Sequence, residues 1–318
     1  KDPHLYVKRV WENLEDYFVE FQDQKGFKRI LTWLRENNKA DVAHEVEQLI
    51  ENTQLKQLYH ATKKINNGKL CVDLLNVPPF EMESILTKMG AAFDLAYKRF
   101  EDLQKAEAQA REAEIELALE RIRARTMAMQ HSEELADASF LLDQQVRALG
   151  LKTWGCAFNI YGEKESTEWF SNEMGTMQTY KTPREKVFLD YYEAGQKGET
   201  LLIKEFSGKE CVEWYNYLCT LPIIGDGLKQ MIADGGAFPT RQIDHVSFFK
   251  YGYLLFISFE PVPEAHEIFK RFAKVFEQTY TRFLDLQKAE AQAREAKIEA
   301  ALERIRSRSL AMHNSSEL

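Results

Sequence analysis

The chain has 318 residues, 44 % of them apolar, which is enough to build packed cores and excludes a disordered chain. Its net charge of −8, with no basic stripe in the globular parts, argues against nucleic acid as a partner, because phosphate binding needs clustered Lys and Arg. The sequence has no apolar run long enough for a membrane span, no signal peptide and no metal-site spacing among its four cysteines, so we expect a cytoplasmic protein with reduced thiols and no membrane segment.

Residues 1–96 are predicted to form a first domain of helices and strands. Its predicted elements are a helix from Asp2, a strand over 16–22, helices over 27–35 and 42–49, a hairpin turning at Asn66-Asn67-Gly68, and a helix after Pro78-Pro79. This domain lacks a counterpart of residues 132–182, which the second domain has. We therefore expect it to be truncated, either because upstream sequence is missing or because another element covers the gap.

One long segment of the sequence occurs twice. Residues Tyr97 to Leu135 return as Tyr280 to Leu318 without a gap, and about three quarters of the positions are identical. In both copies, apolar and small residues recur at alternating steps of four and three, which is the spacing of a coiled-coil seam. The first-copy seam consists of Ile115, Leu119, Ile122, Thr126 and Met129, and the second-copy seam consists of Ile298, Leu302, Ile305, Ser309 and Met312.

The two seams predict a linker helix over 97–131 and a C-terminal helix over 280–318, each pairing in parallel with the same helix of a second chain. The predicted state is thus a homodimer joined by coiled coils. Thr126 and Ser309 weaken the seams, which favours a helix that can switch between two packings. Two alternatives remain open, a rigid spacer that only dimerises and a helix hairpin within one chain.

Residues 132–279 are predicted to form a second, complete domain of the α+β class. Its predicted elements are a helix from Ser132 to Leu149, strands around Trp154–Ile160 and Ser166–Ser171, a helix from Pro183, a strand over 201–206, a helix from Lys209 to Leu221 and a poorer helix to Asp234, a hairpin across Tyr251-Gly252, and a closing helix from Pro263. Antiparallel strand pairs at both ends, with helices between them, predict one antiparallel sheet covered by helices.

This order of elements, with long helices at both ends, resembles a GAF domain. The stretches ERIRARTMAM and AEAQAREAKIEAALERIR resemble the signalling-helix linkers of bacterial sensor histidine kinases and nucleotide cyclases. The resemblance implies two GAF-like domains on coiled-coil helices and an effector, such as a kinase or a cyclase, C-terminal to this piece. The cyclic-nucleotide motif and the bilin-attachment cysteine context of such domains are absent from this sequence, so the identity of any ligand stays open.

The resemblance also implies a ligand pocket between the sheet and the helices that cross it. The candidate pocket residues are Trp154, Cys156, Phe158, Trp169, Trp214, Tyr215, Cys219, His245, Ser247 and Phe249. The alternative is that these aromatic residues form ordinary core and that His245 is a half-buried histidine with satisfied hydrogen bonds.

Motifs for catalysis or phosphate binding, such as a Walker loop, GxGxxG, HExxH or GxSxG, do not occur in the sequence. We therefore expect no catalytic residue, no metal and no cofactor beyond an unknown small-molecule ligand. The predicted function is a non-catalytic sensory and relay fragment of a bacterial signalling protein. The alternative is a purely structural module for dimerisation or scaffolding.

Overall fold

The computed structural model describes residues 15–310, without the side chains of Ser132 and Leu310. The helix predicted from Asp2 and the seam residue Met312 lie outside the described residues. The chain divides into two compact units, Lys1–Gln109 and Ala110–Leu318. Each unit combines antiparallel strands with helices, so the predicted α+β class is confirmed.

The first unit contains a three-stranded antiparallel sheet. Its strands, in spatial order, are Tyr17–Asp23 (β1), Gln57–Ile65 (β2) and Gly68–Leu74 (β3). The helices Gln24–Glu36 (α1) and Ala40–Asn52 (α2) connect β1 to β2 and pack on each other. Ile65 pairs with Gly68, so the predicted hairpin at Asn66-Asn67 is confirmed. Phe21, on β1, is 53 % exposed.

The helix Met82–Met127 (α3) crosses the boundary between the two units. In the first unit, Met82 and Leu86 pack against Ala61 of β2. The sequence predicted a domain end at 96 and a separate linker over 97–131. In the structure, residues 110–127 of this helix belong to the second unit.

The second unit contains a seven-stranded sheet and five helical segments that cover it. The strands are Gly155–Tyr161 (β4), Glu165–Asn172 (β5), Gly175–Thr176 (β6), Tyr180–Pro183 (β7), Leu201–Ser207 (β8), Arg241–Phe249 (β9) and Gly252–Ser258 (β10). The helices after α3 are Leu135–Ala148 (α4), Lys186–Gln196 (α5), Gly208–Leu218 (α6), Ile224–Ala233 (α7) and His266–Leu310 (α8). The strand order is β6-β5-β4-β10-β9-β8, with β7 also paired to β5, and all pairs are antiparallel.

Both faces of this sheet are buried, because side chains alternate between two hydrophobic cores. Phe158, Leu254 and Phe256 point to the core that α4, α8 and the C-terminal part of α3 complete. Ala157 and Leu255 point to the other core, which α5, α6 and α7 complete. The predicted single sheet with helical cover is therefore confirmed, and the two cores place different helices on opposite faces.

The first-copy seam is buried inside the second unit, which corrects the prediction that it contacts a second chain. Ile115, Leu119, Ile122, Thr126 and Met129 are all at most 6 % exposed and belong to the core around α8. The hydroxyls of Thr126 and Thr279 lie 2.8 Å apart. Side chains that α8 already covers cannot also face another chain. For this copy, the structure therefore shows the alternative in which the helix pairs within one chain.

The two paired helices run parallel. Arg271 on α8 donates hydrogen bonds to Glu112 (2.7 Å) and Glu116 (2.6 Å), and Gln287 donates to the Gln130 carbonyl at 3.2 Å. Residue numbers therefore increase together along α3 and α8. The first half of α8 closes the second unit, and α3 is the helix that covers it.

The second-copy seam is exposed. Ile298, Leu302 and Ile305 on α8 are 52 %, 51 % and 66 % exposed, and Ser309 is exposed as well. These residues have no partner among the residues that the structure describes. This half of the predicted seam thus remains available for a partner.

Candidate functional site

A small aromatic cavity lies between the sheet and the helices α5, α6 and α7 of the second unit. Its free volume is about 60 Å³. At the roughly 30 Å³ that one water molecule occupies in the liquid, this is room for about two water molecules. The aromatic residues that line it are Trp154, Phe170, Tyr180, Phe188, Tyr191, Trp214 and Tyr215, and the polar residues are Glu168, Gln242 and Asp244.

Glu168 places a carboxyl group in this cavity from the middle of β5. Its two oxygens accept hydrogen bonds from the Tyr180 hydroxyl and, at 2.8 Å, from Asn159 Nδ2. The residue is 2 % exposed, and burial is the main reason that its pKa is raised above the ordinary value. The two hydrogen bonds act in the opposite direction by stabilising the carboxylate.

Asp244 places a second carboxyl group in the cavity from β9. It accepts hydrogen bonds from the Tyr191 hydroxyl (2.7 Å) and from Gln242 Nε2 (2.6 Å). Burial, with a smaller contribution from the charge of Glu168, raises the pKa of Asp244 to about 7. Tyr215 extends this network, because its hydroxyl donates to Gln242 Oε1.

Neither carboxyl group forms an ion pair with a cation among the described residues. Lys204 on β8 lies opposite Asp244 in the strand register, but its ammonium lies 5.9 Å from the centre of the Phe206 ring. A buried carboxylate without a counter-cation is costly, so it must take up a proton or find a cation. The cavity therefore holds two carboxyl groups without a cationic partner, surrounded by aromatic rings.

Trp214 of α6 is the aromatic residue with a free polar group at this site. Its side chain is 6 % exposed, and its indole Nε1 has no hydrogen-bond partner in the structure. The ring stacks on Phe206 at 5.3 Å and meets the edge of Phe188 at 5.2 Å. These contacts fix the ring, while the N–H donor remains available to a bound molecule.

A wider cleft adjoins the cavity. Trp154, Tyr215 and Leu228 line both spaces, and the cleft, of about 320 Å³, is also bounded by Met231 and Pro239. Because three residues are shared, the cleft lies directly beside the inner cavity.

Three of the ten predicted pocket residues line the cavity, namely Trp154, Trp214 and Tyr215. Cys219 packs at the margin of the same core without lining the cavity. The remaining six lie on the opposite face of the sheet, toward α4 and α8, and their prediction as pocket residues is corrected: Cys156, Phe158, Trp169, His245, Ser247 and Phe249.

The reason for this error is that each central strand is buried on both faces. Alternation in a strand separates two sets of side chains, but it does not say which set faces a cavity when both are buried. Sequence analysis missed Glu168, Asp244, Gln242, Tyr180 and Tyr191. A usable signal was present, since Glu168 and Asp244 are the acidic residues inside the apolar strand sequences STEWFS and RQIDHVSFF.

His245 lies next to Asp244 on β9 but points toward α8. Its Nε2 lies 2.9 Å from Ser258 Oγ, whose own proton goes to the Glu260 carbonyl, so Nε2 carries the histidine proton. Burial, with a smaller contribution from His266, lowers the pKa of His245 to about 4. The histidine is therefore neutral and contacts the Phe269 ring, 5.5 Å away.

Comparison with known proteins adds no family to this description. The chain matches no protein-family model and no curated protein. The resemblance to GAF domains therefore stays a prediction. Within residues 15–310, no helix is long and apolar enough to cross a membrane, and no cluster of three or more His, Cys, Asp or Glu side chains could hold a metal ion.

Proposed function

We propose that this chain is a non-catalytic sensory and signal-relay module. In this proposal the second unit is a GAF-like domain whose aromatic cavity binds a small molecule. The state of the cavity passes through α8 to the end of the helix, and from there to an effector such as a kinase or a cyclase.

The observation that carries this proposal is the position of β9 between the cavity and α8. Gln242 and Asp244 face the cavity, while His245 and Phe249 face α8. The Phe249 and Phe276 rings meet at 5.0 Å. A shift of β9 on ligand binding would therefore move the packing of α8, because alternate side chains of one strand belong to both structures.

The continuity of α8 supports the second step of the relay. The helix runs from His266 to Leu310 without a break. Phe269, Phe272 and Phe276 are completely buried in the unit, whereas residues 285–309 are all exposed. A rotation or tilt imposed on the buried half is passed to the exposed half, since a continuous helix moves as a rod.

The partner that we propose for the exposed half is a second copy of the chain. The first-copy seam shows that this residue pattern binds a parallel helix, and the second copy keeps the pattern while exposing it. Pairing of two copies can be tested at Ser309, because replacing Ser by Cys changes the side-chain volume little. In a chain with Cys71 and Cys219 replaced by Ser, Ser309→Cys should form a disulfide-linked dimer under mild oxidation, whereas Ser307→Cys, on another side of the helix, should not.

The relay is tested by the rate of this crosslink. Asp244→Asn and Trp214→Phe alter the cavity, and we expect each to change the Ser309→Cys crosslinking rate by about threefold or more. A threefold change in rate corresponds to less than about 1 kcal/mol. The control is Asp226→Asn, which removes an exposed carboxylate from α7. Equal rates in all variants would reject the relay and favour the structural alternative, in which the chain only dimerises. If neither Ser309→Cys nor Ser307→Cys crosslinks, the proposal that a second copy of the chain binds the exposed half of α8 is wrong. The relay is then tested by comparing hydrogen exchange over residues 285–310 in the cavity variants.

A further inference from the structure

We propose that the aromatic cavity recognises a small organic cation of the ammonium or guanidinium class. This inference rests on the proposed sensory function and names the chemical class of its ligand. Its two components are the pair of buried carboxyl groups of Glu168 and Asp244 and the aromatic rings around them.

The aromatic rings favour a cation over an anion or a sugar. The faces of Trp and Tyr rings carry partial negative charge and attract ammonium and guanidinium groups. Trp154 and Trp214 both line the cavity, together with Tyr180, Tyr191 and Tyr215. Aromatic cages are the usual way in which proteins bind alkylated ammonium groups. The Trp214 ring is already stacked on Phe206 and Tyr217, so a cation would contact the faces of the other rings.

The two carboxyl groups supply the charge that selects a cation over a neutral molecule. Each oxygen of Glu168 and Asp244 accepts one hydrogen bond in the structure, so each retains a free acceptor site. The charge of Glu168 adds to the proton affinity of Asp244, because like charges are unfavourable in a buried site. A bound cation would relieve this repulsion and replace the missing counter-ion.

The size of the cavity and its ligand set point to an organic cation rather than a metal ion. The free volume of about 60 Å³ limits the ligand to a small molecule. Ca²⁺ needs six or more oxygen ligands, and this cavity offers two carboxyl groups among aromatic walls. Guanidinium and tetramethylammonium are small probes of this class.

Binding of a cation should compete with protonation of Asp244. The charged and titratable groups near Asp244 are Glu168, Tyr180, Tyr191, Lys204, Cys211, Tyr215 and Tyr253. Asp244 has a pKa of about 7, whereas the tyrosines and Cys211 have pKa values raised above their ordinary values and stay neutral. The dissociation constant of a cation should therefore fall by about tenfold between pH 6 and pH 8, as the proton leaves Asp244.

The deciding experiment compares charged probes with neutral probes of the same shape on the unaltered chain. Guanidinium is paired with urea, and tetramethylammonium with tert-butanol, all at concentrations too low to unfold the protein. Binding is followed by calorimetry and by the fluorescence of Trp154 and Trp214. We expect at least one cation to bind about tenfold or more tightly than its neutral partner, a difference of about 1.4 kcal/mol.

Variants then locate the site. Asp244→Asn and Glu168→Gln should each weaken binding of the cation by about tenfold or more, and Asp244→Asn should remove the pH dependence. The control Asp226→Asn makes the same change in net charge at an exposed position and should leave binding unchanged. Circular dichroism shows whether each variant is folded. If a variant does not fold, the comparison of charged and neutral probes on the unaltered chain still tests the ligand class.

Equal affinity for charged and neutral probes, or no binding of either cation, would overturn the proposed ligand class. These outcomes leave the relay to be judged by the crosslinking rates of the cavity variants. Conversely, tight cation binding with no change in the crosslinking rate or in hydrogen exchange over α8 would support the ligand class and reject the relay.

Discussion

Asp244 and Glu168 are residues whose burial works against the stability of the folded chain. Each is at most 2 % exposed, and the hydrogen bonds from Tyr191, Gln242, Tyr180 and Asn159 compensate only part of the loss of hydration. Natural proteins tolerate such groups where they serve a site. The unfavourable burial is consistent with selection for binding rather than for stability.

The first prediction concerns Asp244→Asn and the dependence of stability on pH. The folded pKa of Asp244, about 7, lies above its ordinary value of 3.8, so the folded chain holds the proton more tightly. Wild-type stability attributable to this group is fully present below pH 3.8 and is lost as pH rises toward and through 7. The variant should therefore gain stability relative to wild type by roughly 2 kcal/mol between pH 5 and pH 8.

Urea unfolding at several pH values measures this difference. His245 has the opposite dependence, because its lowered pKa of about 4 makes stability fall as pH drops below 6.5, but it is present in both proteins and cancels in the comparison. Asp226→Asn is the control for the loss of one carboxylate at an exposed position. A constant difference between Asp244→Asn and wild type would show that Asp244 is ionised throughout this range.

The second prediction concerns the backbone at Ile223, before α7. Ile223 has φ 68° and ψ −67°, and the Ile224 N–H donates to the Pro222 carbonyl at 2.8 Å, which together define a rare classic γ-turn. Positive φ is unfavourable for a β-branched residue. Ile223→Gly should therefore be more stable than Ile223→Ala by about 1 kcal/mol, the reverse of the usual order next to a helix.

Thermal or urea unfolding of the two variants provides the measurement. Both variants remove the Ile side chain, so the difference between them isolates the backbone. If Ile223→Ala were the more stable variant, the left-handed conformation at this position would be wrong.

At the scale of elements, the repeated helix shows one amphipathic pattern in two environments. The residues that α3 buries against α8 are nearly all kept in the second copy, where Ile298, Leu302 and Ile305 replace Ile115, Leu119 and Ile122 without change of type. Leu117 and Ala300 occupy a position that differs between the copies, and both are exposed. The pattern thus specifies a face that binds a parallel helix, and the environment decides whether a helix is there.

The third prediction uses this repeat as its own control. Leu119→Ala removes a side chain that is 3 % exposed and should destabilise the second unit by about 3 kcal/mol through the loss of buried apolar contacts. Leu302→Ala makes the same change at the matching position, 51 % exposed, and should alter stability by less than about 0.5 kcal/mol.

Urea unfolding is compared at a concentration where light scattering shows a monomer, so that any pairing of the C-terminal helix does not contribute. Equal destabilisation by the two variants would mean that the second-copy seam is also buried within the chain. A small effect of both would mean that α3 does not cover α8 in solution.

At the scale of the whole molecule, the boundary of the second domain lies within α3 and not after it. Residues 110–129 contribute Ile115, Leu119 and Ile122 to the core that also contains Phe272 and Phe276 of α8. A domain taken to begin at 132, as the sequence predicted, would leave these aromatic side chains exposed to water. Linker and domain are therefore one folding unit over this stretch.

The fourth prediction compares two truncated chains. A chain of residues 110–318 should fold, with cooperative unfolding of the second unit. A chain of residues 132–318 should be less stable by more than about 5 kcal/mol, because several large apolar side chains lose their cover. A loss of this size is comparable to the total free energy of unfolding of a typical domain. Circular dichroism and urea unfolding distinguish the two chains. Equal stability would show that residues 110–131 are a separate linker, as the sequence predicted.

The sequence by itself determined the α+β class, the order of most elements, the hairpin at Asn66-Asn67 and the end of α4, where Gly150 adopts φ 71° as a C-cap glycine does. These features depend on local periodicity and turn chemistry, which a single segment carries. Only the tertiary structure decided that the cavity lies on the Asp244 face of β9 and that the first-copy seam packs on α8. The physical reason is the same in both cases, since a pattern of apolar residues defines a face to be buried but not what will cover it.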